Sequence, residues 1–483
     1  MLKRSATALA CLAAVLGSVA GAGSLSGTAG PEPPVPRHPT SAIAGVAPAP
    51  TPKPARQPTV GLPAQVVNFA PPVRTSTHGT VDYGTQPTPG DDRTGRTTWR
   101  VAEGTGNCCE NYFTISRGGR LFDFGGTFIN FTDDRGLTWK QVRPQTPLVN
   151  GEGTIAMAPN GDVIGVGWDP YSGDHLQAFK YEAASSAWFY SEIPLHVPFY
   201  DREWVTVIPG PFTILGQTVP YITFLKGGWP SKELWFRSTD GLLYAEMTSK
   251  FADTSLNDVT HEWLRTKADA SFDWIQPNIG TGVIPLGEGR ALARPDFGAT
   301  RWAQHHRDIL AWSDYRFPSG MPEGMYQIDS LGRIHNLIPQ VTSFAYRISA
   351  DGGRTWSKID VPLPPNMRIE QIDFRANRAA GVAAVVIHAQ KAASVNDQDL
   401  AYKIGITTNQ PVLQRLYQVG LGDGASTAGV GSDVRMDFQT VAIFPDGRLA
   451  VSFLDSTTKS VSPTTGALRT SPNVAIELNT TFP

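Results

Sequence analysis

The sequence predicts an all-β chain built as a six-bladed β-propeller of four-stranded antiparallel blades, behind a signal peptide and a disordered Pro-rich linker, and three observations predict it. After Trp99 the chain consists of short β-branched and aromatic runs separated by turn residues, with almost no stretch carrying a 3.6-residue apolar period. Strand-turn-strand units recur along it. Two octamers, TDDRGLTW (132–139) and SADGGRTW (349–356), repeat one turn signature.

The N-terminus comes first in the argument. Lys3 and Arg4 precede an apolar run from Ala8 to Val19, and no acidic residue occurs before Glu32, which is the pattern of an export signal over residues 1–22. Small residues at Ser18, Ala20 and Ala22 suit a signal peptidase. Cys11 lies inside the apolar run, so a lipid anchor is not the favoured reading. Residues 23–96, rich in Pro, Ala, Thr and Gly as in APAPTPKPARQPT, read as a disordered or polyproline-like linker, because little apolar surface is available there to offset ordering entropy. The propeller domain is assigned to residues 97–483. A formal charge of −2 gives no electrostatic reason to expect nucleic acid or an anionic membrane as partner. No later run reaches the roughly 20 apolar residues of a membrane span. The expectation is therefore a secreted, soluble, monomeric protein.

Blade-like units open near Glu110, Gly151, Asp201, Phe272, Ile369 and Met436. The clearest hairpins are TIAMAPNGDVIGVGWD (154–169) and TVAIFPDGRLAVSFLD (440–455), each with Pro, then Asn or Asp, then Gly at the turn. A radial arrangement of such units hides their edges, which an open sheet of this size does not.

In the octamers, Asp134 and Asp351 are placed to accept turn amides, Gly136 and Gly353 to take positive φ, and Trp139 and Trp356 to pack between sheets. Thr132, Thr138, Ser349 and Thr355 supply local hydroxyl bonds. With these two copies, and a degenerate third in RSTDGLLY (237–244), the chain from 99 to 483 resembles the sialidase-like superfamily of Asp-box propellers. The box is a structural turn remote from the ligand face in that family, so the resemblance speaks to fold.

In a propeller the start of the first strand and the end of the second share one face. Second strands are read as ending at Asp169, at Asp314-Tyr315-Arg316 and at Asp455, and first strands as opening at Glu110, Glu152, Arg202-Glu203, Asp373-Phe374-Arg375 and Arg435-Met436-Asp437. Arg202, Arg375, Arg435 and Arg316, with Asp169 and Asp455, are the candidates for binding an acidic sugar, since a guanidinium pairs a carboxylate bidentately. A structural reading stands beside this one: Asp after a strand forms turns, and Arg and Asp satisfy each other around a channel. What the resemblance implies is a three-arginine clamp, a Tyr nucleophile activated by Glu, and an Asp acid/base. Tyr315, Glu203 and Asp314 are the matching candidates. The segment where the family's first arginine is expected reads Asn107-Cys108-Cys109-Glu110-Asn111, leaving Arg100 as a displaced substitute.

His305-His306, His175, His196, His261 and His388 lack zinc spacing, and no complete calcium loop occurs, so no cofactor or metal is expected. Cys108 and Cys109 are adjacent and are the cysteines left after signal removal. A vicinal disulfide, free thiols and an intermolecular bridge are the alternatives. The expected ligand is an extracellular glycan or glycoconjugate, cleaved by an exo-glycosidase or bound without turnover. An extracellular lyase or another hydrolase on the same scaffold is the third reading.

Overall fold

The computed structural model describes residues 62–71, 73–83, 94–103, 112–124, 128–143, 153–158, 160–168, 175–194, 204–214, 217–227, 234–246, 263–266, 272–275, 283–287, 290–293, 301–306, 311–316, 325–329, 333–351, 353–391, 398–421, 440–461 and 468–482. The regular elements among the described residues are all strands.

Strands β1 (Leu62–Pro63), β2 (Gln65–Phe69), β3 (Val73–Asp82) and β4 (Thr94–Glu103) come first. The first meander is β5 (Tyr112–Ile115), β6 (Leu121–Phe124), β7 (Ile129–Thr132) and β8 (Trp139–Arg143). The second is β9 (Gly153–Met157), β10 (Val163–Trp168), β11 (His175–Glu182) and β12 (Ala187–Pro194). The third is β13 (Trp204–Ile214), β14 (Gln217–Gly227), β15 (Leu234–Ser238) and β16 (Ala245–Glu246). The fourth position holds a hairpin, β17 (Trp263–Thr266) with β18 (Phe272–Ile275), followed by a sheet of β19 (Val283–Gly287), β20 (Arg290–Ala293), β21 (Arg301–His306) and β22 (Ala311–Arg316). The fifth meander is β23 (Met325–Ile328), β24 (Ile334–Pro339), β25 (Ser343–Ser349) and β26 (Ser357–Pro362). The sixth is β27 (Met367–Asn377), β28 (Val382–Lys391), β29 (Gln398–Gly405) and β30 (Val412–Leu421). In the seventh, β31 (Val441–Ile443), β32 (Leu449–Val461) and β33 (Leu468–Thr481) are completed by β4, so a strand from the N-terminal side closes the last sheet.

The first strands touch in the order β5, β9, β13, β17, β23, β27, β31, and β31 returns to β5. This closed ring of first strands makes the architecture a propeller. It has seven members among the described residues, one more than the six units read from the hairpins. The unit missed is the fifth meander. Its first hairpin, MYQIDSLGRIHNLIP, turns through Asp329 to Arg333 without the Pro-Asn-Gly or Pro-Asp-Gly signal that marks the second and seventh, and the sequence reading merged it with the unit from Phe272.

The turns explain why these hairpins form. The amides of Gly119, Gly161, Gly381 and Gly447 donate to Ser116, Ala158, Arg378 and Phe444 carbonyls at 2.9, 3.0, 3.0 and 2.9 Å, each glycine at positive φ. The described seams between neighbouring sheets are apolar. Tyr112, Phe122, Phe124 and Phe131 of the first meander pack on Val163, Phe179, Tyr181 and Trp188 of the second, where Phe179 and Trp188 stack at 5.1 Å. Leu337, Phe344 and Tyr346 meet Phe374, Val385 and Ile387 between the fifth and sixth. Between the seventh and the first, Ala102, Val474 and Ile476 meet Phe113, Leu121 and Trp139 and seal the ring.

The segment read as a disordered linker up to residue 96 contributes three strands before β4. β1 pairs with β12, β2 with β8, and β3 joins β30 to β4, so the chain laps the outer edges of four meanders. VVNF and VRTSTHGTV carry enough β-branched residues to pair at an edge, a pattern hidden by the Pro-rich composition around them. Residues 1–61 lie outside the described residues, as does the signal peptide assigned there.

Candidate functional site

The hairpin turns and the Asp boxes lie at one end of the ring. In the first box Thr132 Oγ1 donates to Asp134 Oδ1 at 2.9 Å and accepts the Gly136 amide at 2.7 Å, while Asp134 accepts the amide and hydroxyl of Thr138 at 2.8 and 2.6 Å. The second repeats this with Ser349, Asp351, Gly353 and Thr355, and the Trp356 indole donates to the Gly353 carbonyl at 3.0 Å. Gly136 and Gly353 take φ of 78° and 89°. Ser238 and Asp240 build a related turn, with Asp240 Oδ1 accepting the amides of Leu242 and Leu243. The reading of these octamers as structural turns agrees with the geometry.

Arg100 is not a displaced substrate arginine. Its guanidinium donates to the carbonyl oxygens of Asp134 and Arg135, inside the first box and away from the second-strand ends. Its place on β4 packs it against the neighbouring meander, which its sequence distance from residue 134 concealed.

Arg375 is also relocated. β27 begins at Met367, so Arg375 lies near the hairpin end of a first strand and not at its opening. It donates to Asp373 at 3.1 Å and to the Phe374 carbonyl at 2.9 Å, and Asp373 is buried. Burial lowers the guanidinium's proton affinity, opposed by the Asp373 charge. The pair satisfies itself, as the structural reading of these residues anticipated.

Asp314, Tyr315 and Arg316 lie on β22, paired with Ala303, Trp302 and Arg301 of β21. That is the last strand of its sheet and not a second strand, because RALA and RWAQHH each form a strand of their own between β19 and β22. Asp455 does lie on a second strand, β32, in the irregular stretch between Leu454 and Lys459. Asp169, Arg202, Glu203, Arg435, Cys108 and Cys109 lie outside the described residues.

The turn glycines Gly161, Gly381 and Gly447 hold equivalent positions in their hairpins, and counting the same distance from each reaches Asp169, Ala389 and Asp455, so the aspartate recurs in the second and seventh meanders and not in the sixth. One residue before that position the sixth meander carries His388. His388 stands opposite Asp399 of β29, and its Nδ1 lies 2.9 Å from Asp399 Oδ1. The side chains are 13% and 4% exposed, and the His388 Nε2 is itself buried. Ala384 and Val386, which share its face of β28, line the seam toward the seventh meander, and His388 sits at the second-strand end of that seam.

Chemically, a carboxylate accepting Nδ1–H fixes the tautomer that carries the lone pair on Nε2 and supports an imidazolium when a proton arrives. With Nε2 buried, the pair orders the second-strand end of the seam between the sixth and seventh meanders.

No family profile matches the chain, and no curated protein does. Similar solved structures include YCF48 bound to D1 peptide, at 10% identity and a TM-score of 0.41 over 79% of this chain and 95% of that one. A virginiamycin B lyase from Staphylococcus aureus overlaps at 9% identity and 0.40 over 79% and 99%. The K499G mutant of NanB sialidase from Streptococcus pneumoniae overlaps at 11% identity and 0.33 over 78% and 70%. Enzymes of different reactions and a peptide complex thus stand side by side, and the propeller assignment rests on the sheet order and the closed ring of first strands.

Proposed function

We propose that this protein is a secreted, carbohydrate-directed propeller that holds an acidic extracellular glycan at the end of the ring where second strands finish and first strands begin. The observation that carries the reading is the recurrence of an aspartate, Asp169 and Asp455, at one position after the hairpin turns of the second and seventh meanders, turns that share one hydrogen-bond pattern. A carboxylate recurring at one position of two meanders is not needed by the seams, whose described members on that register include the apolar Val163, Leu449, Val451 and Phe453. Arg202 and Arg435, at first-strand openings in the sequence, are the anion-pairing candidates. A carboxylate at that position keeps an enzymatic role beside plain binding.

Glycan-array binding by the chain without its first 22 residues tests the proposal. Binding to acidic glycans should weaken at least about tenfold in Arg435→Ala and Arg202→Ala, in line with a lost charge-assisted contact. Absence of binding to every acidic glycan rejects the reading.

A further inference from the structure

We infer that β26 is a self-pairing edge, along which two copies of the chain join antiparallel about a twofold axis at Ile359. Among the described residues β26 ends the fifth sheet and pairs with β25 alone, over six residues without a register shift. The outer strands β8, β12 and β30 are each covered by a strand from the N-terminal side of the chain. β26 has no such cover among the described residues, and a regular uncovered edge offers a row of backbone donors and acceptors to another strand.

The side chains decide which strand fits. Ile359 and Val361 pack on the core between the fifth and sixth meanders, whereas Lys358 and Asp360 are 44% and 60% exposed. Lying two positions apart, these charges share one face of the strand. A charged edge ordinarily repels a strand that brings a like charge. Here the charges are opposite and flank a single residue. With Ile359 opposite Ile359 of a second copy, Lys358 of each chain faces Asp360 of the other on both sides of the axis. A shift of two residues in either direction sets Lys358 against Lys358, or Asp360 against Asp360, so the charges select the register. Within one copy Lys358 Nζ lies 2.8 Å from Asp360 Oδ2, but an exposed contact of this kind is weak and leaves both groups able to turn to the other chain. The pairing uses the same strand of both copies, so it closes at a dimer.

Light scattering and sedimentation of the full chain, from micromolar to millimolar concentration, test this. Wild type should show a concentration-dependent dimer that weakens as salt is added. A chain that stays monomeric throughout, as the sequence alone leads one to expect, overturns the inference. Lys358→Asp brings an aspartate against Asp360 at both positions, and Asp360→Lys brings a lysine against Lys358. Each should weaken self-association at least about fivefold, the combined effect of two cross-strand pairs, with the melting temperature of the monomer close to wild type. An equal mixture of the two variants should dimerise as wild type does, because each supplies the charges the other lacks. Dimerisation untouched by either change, or a mixture that fails to recombine, overturns the pairing.

Discussion

The Arg100 guanidinium donates to the carbonyl oxygens of Asp134 at 3.1 Å and Arg135 at 2.9 Å, tying the strand that completes the seventh meander to the Asp box of the first. Around this contact Arg135 Nη2 pairs with Asp446 at 2.5 Å and lies over the Phe444 ring at 4.8 Å. A box whose sequence signature concerns only its own turn is thus also part of the clasp that closes the ring.

Arg100→Ala should therefore cost about 1.5–3 kcal/mol, because it removes two charged hydrogen bonds to carbonyls at a part-buried junction. Arg135→Ala should cost no more than about 1 kcal/mol, since the Arg135 and Asp446 side chains are 29% and 42% exposed and water screens them. Chemical denaturation of both variants checks the order. Equal losses, or a larger one for Arg135, would show that the clasp has been apportioned wrongly.

Stability should fall with pH in two stages. His335 is buried, with Nδ1 at 2.7 Å from the Tyr346 hydroxyl and Nε2 at 3.2 Å from Asp329. Burial lowers its proton affinity more than the Asp329 bond and charge raise it, so the folded chain refuses a proton that the unfolded chain takes below about pH 6.5. Stability is then lost progressively as pH drops below that value. Asp351 is held down at about 2 by the Thr355 hydroxyl and amide and the Ser349 hydroxyl. Its contribution is present above the unfolded value of about 3.9 and disappears as pH falls toward 2. Melting temperatures from about pH 7 to 3 should decline in both ranges, the upper decline flattening in His335→Gln and the lower in Asp351→Asn. A wild-type curve flat between about pH 7 and 5 would contradict the first stage.

The lapping strands β1–β3 supply the next test. They cover the outer edges β12, β8 and β30, whose backbone groups would otherwise be open to pairing with another chain. A chain starting at residue 94 should melt lower than wild type and self-associate, while one starting at residue 62 should behave as the full chain does. Size-exclusion chromatography with light scattering separates these cases. A monodisperse, equally stable chain from residue 94 would show that the edges protect themselves.

What could be read from the sequence divides along a physical line. Turns whose geometry is carried by local residues, such as Asp134 with Thr138 or Gly161 after Asn160, were legible because the chemistry sits within a few positions. The count of meanders was not, since the Asp329–Arg333 hairpin uses ordinary residues and depends on Arg333 reaching the Ile406 and Thr408 carbonyls of the next meander. Arg100 and Arg375 were misplaced for the same reason: their partners are set by packing and by where a strand begins. The recurrence of Asp169 and Asp455 was legible because the turns before them carry the same Pro, Asn or Asp, Gly signal.

Glu477 of β33 gives the final prediction. It accepts Lys403 Nζ at 2.9 and 3.2 Å, the Tyr417 hydroxyl at 2.9 Å and the Leu449 amide at 3.1 Å, joining strands of the sixth and seventh meanders. Tyr417 in turn meets Trp99 edge-on at 5.4 Å, so the carboxylate organises an aromatic part of the seam. Burial depresses the Lys403 amine and the Glu477 charge restores it, which marks the pair as mutually dependent. Removing the carboxylate strands a buried ammonium, a hydroxyl and an amide together, and Glu477→Ala should cost about 3–5 kcal/mol. Lys403→Met should cost less, because Glu477 keeps the Tyr417 and Leu449 donors and the methionine retains the aliphatic packing. The double variant should be less destabilised than the sum of the two, with a coupling of about 0.5–3 kcal/mol measured by urea denaturation. Strict additivity would mean that the ammonium and the carboxylate are adjacent without depending on one another.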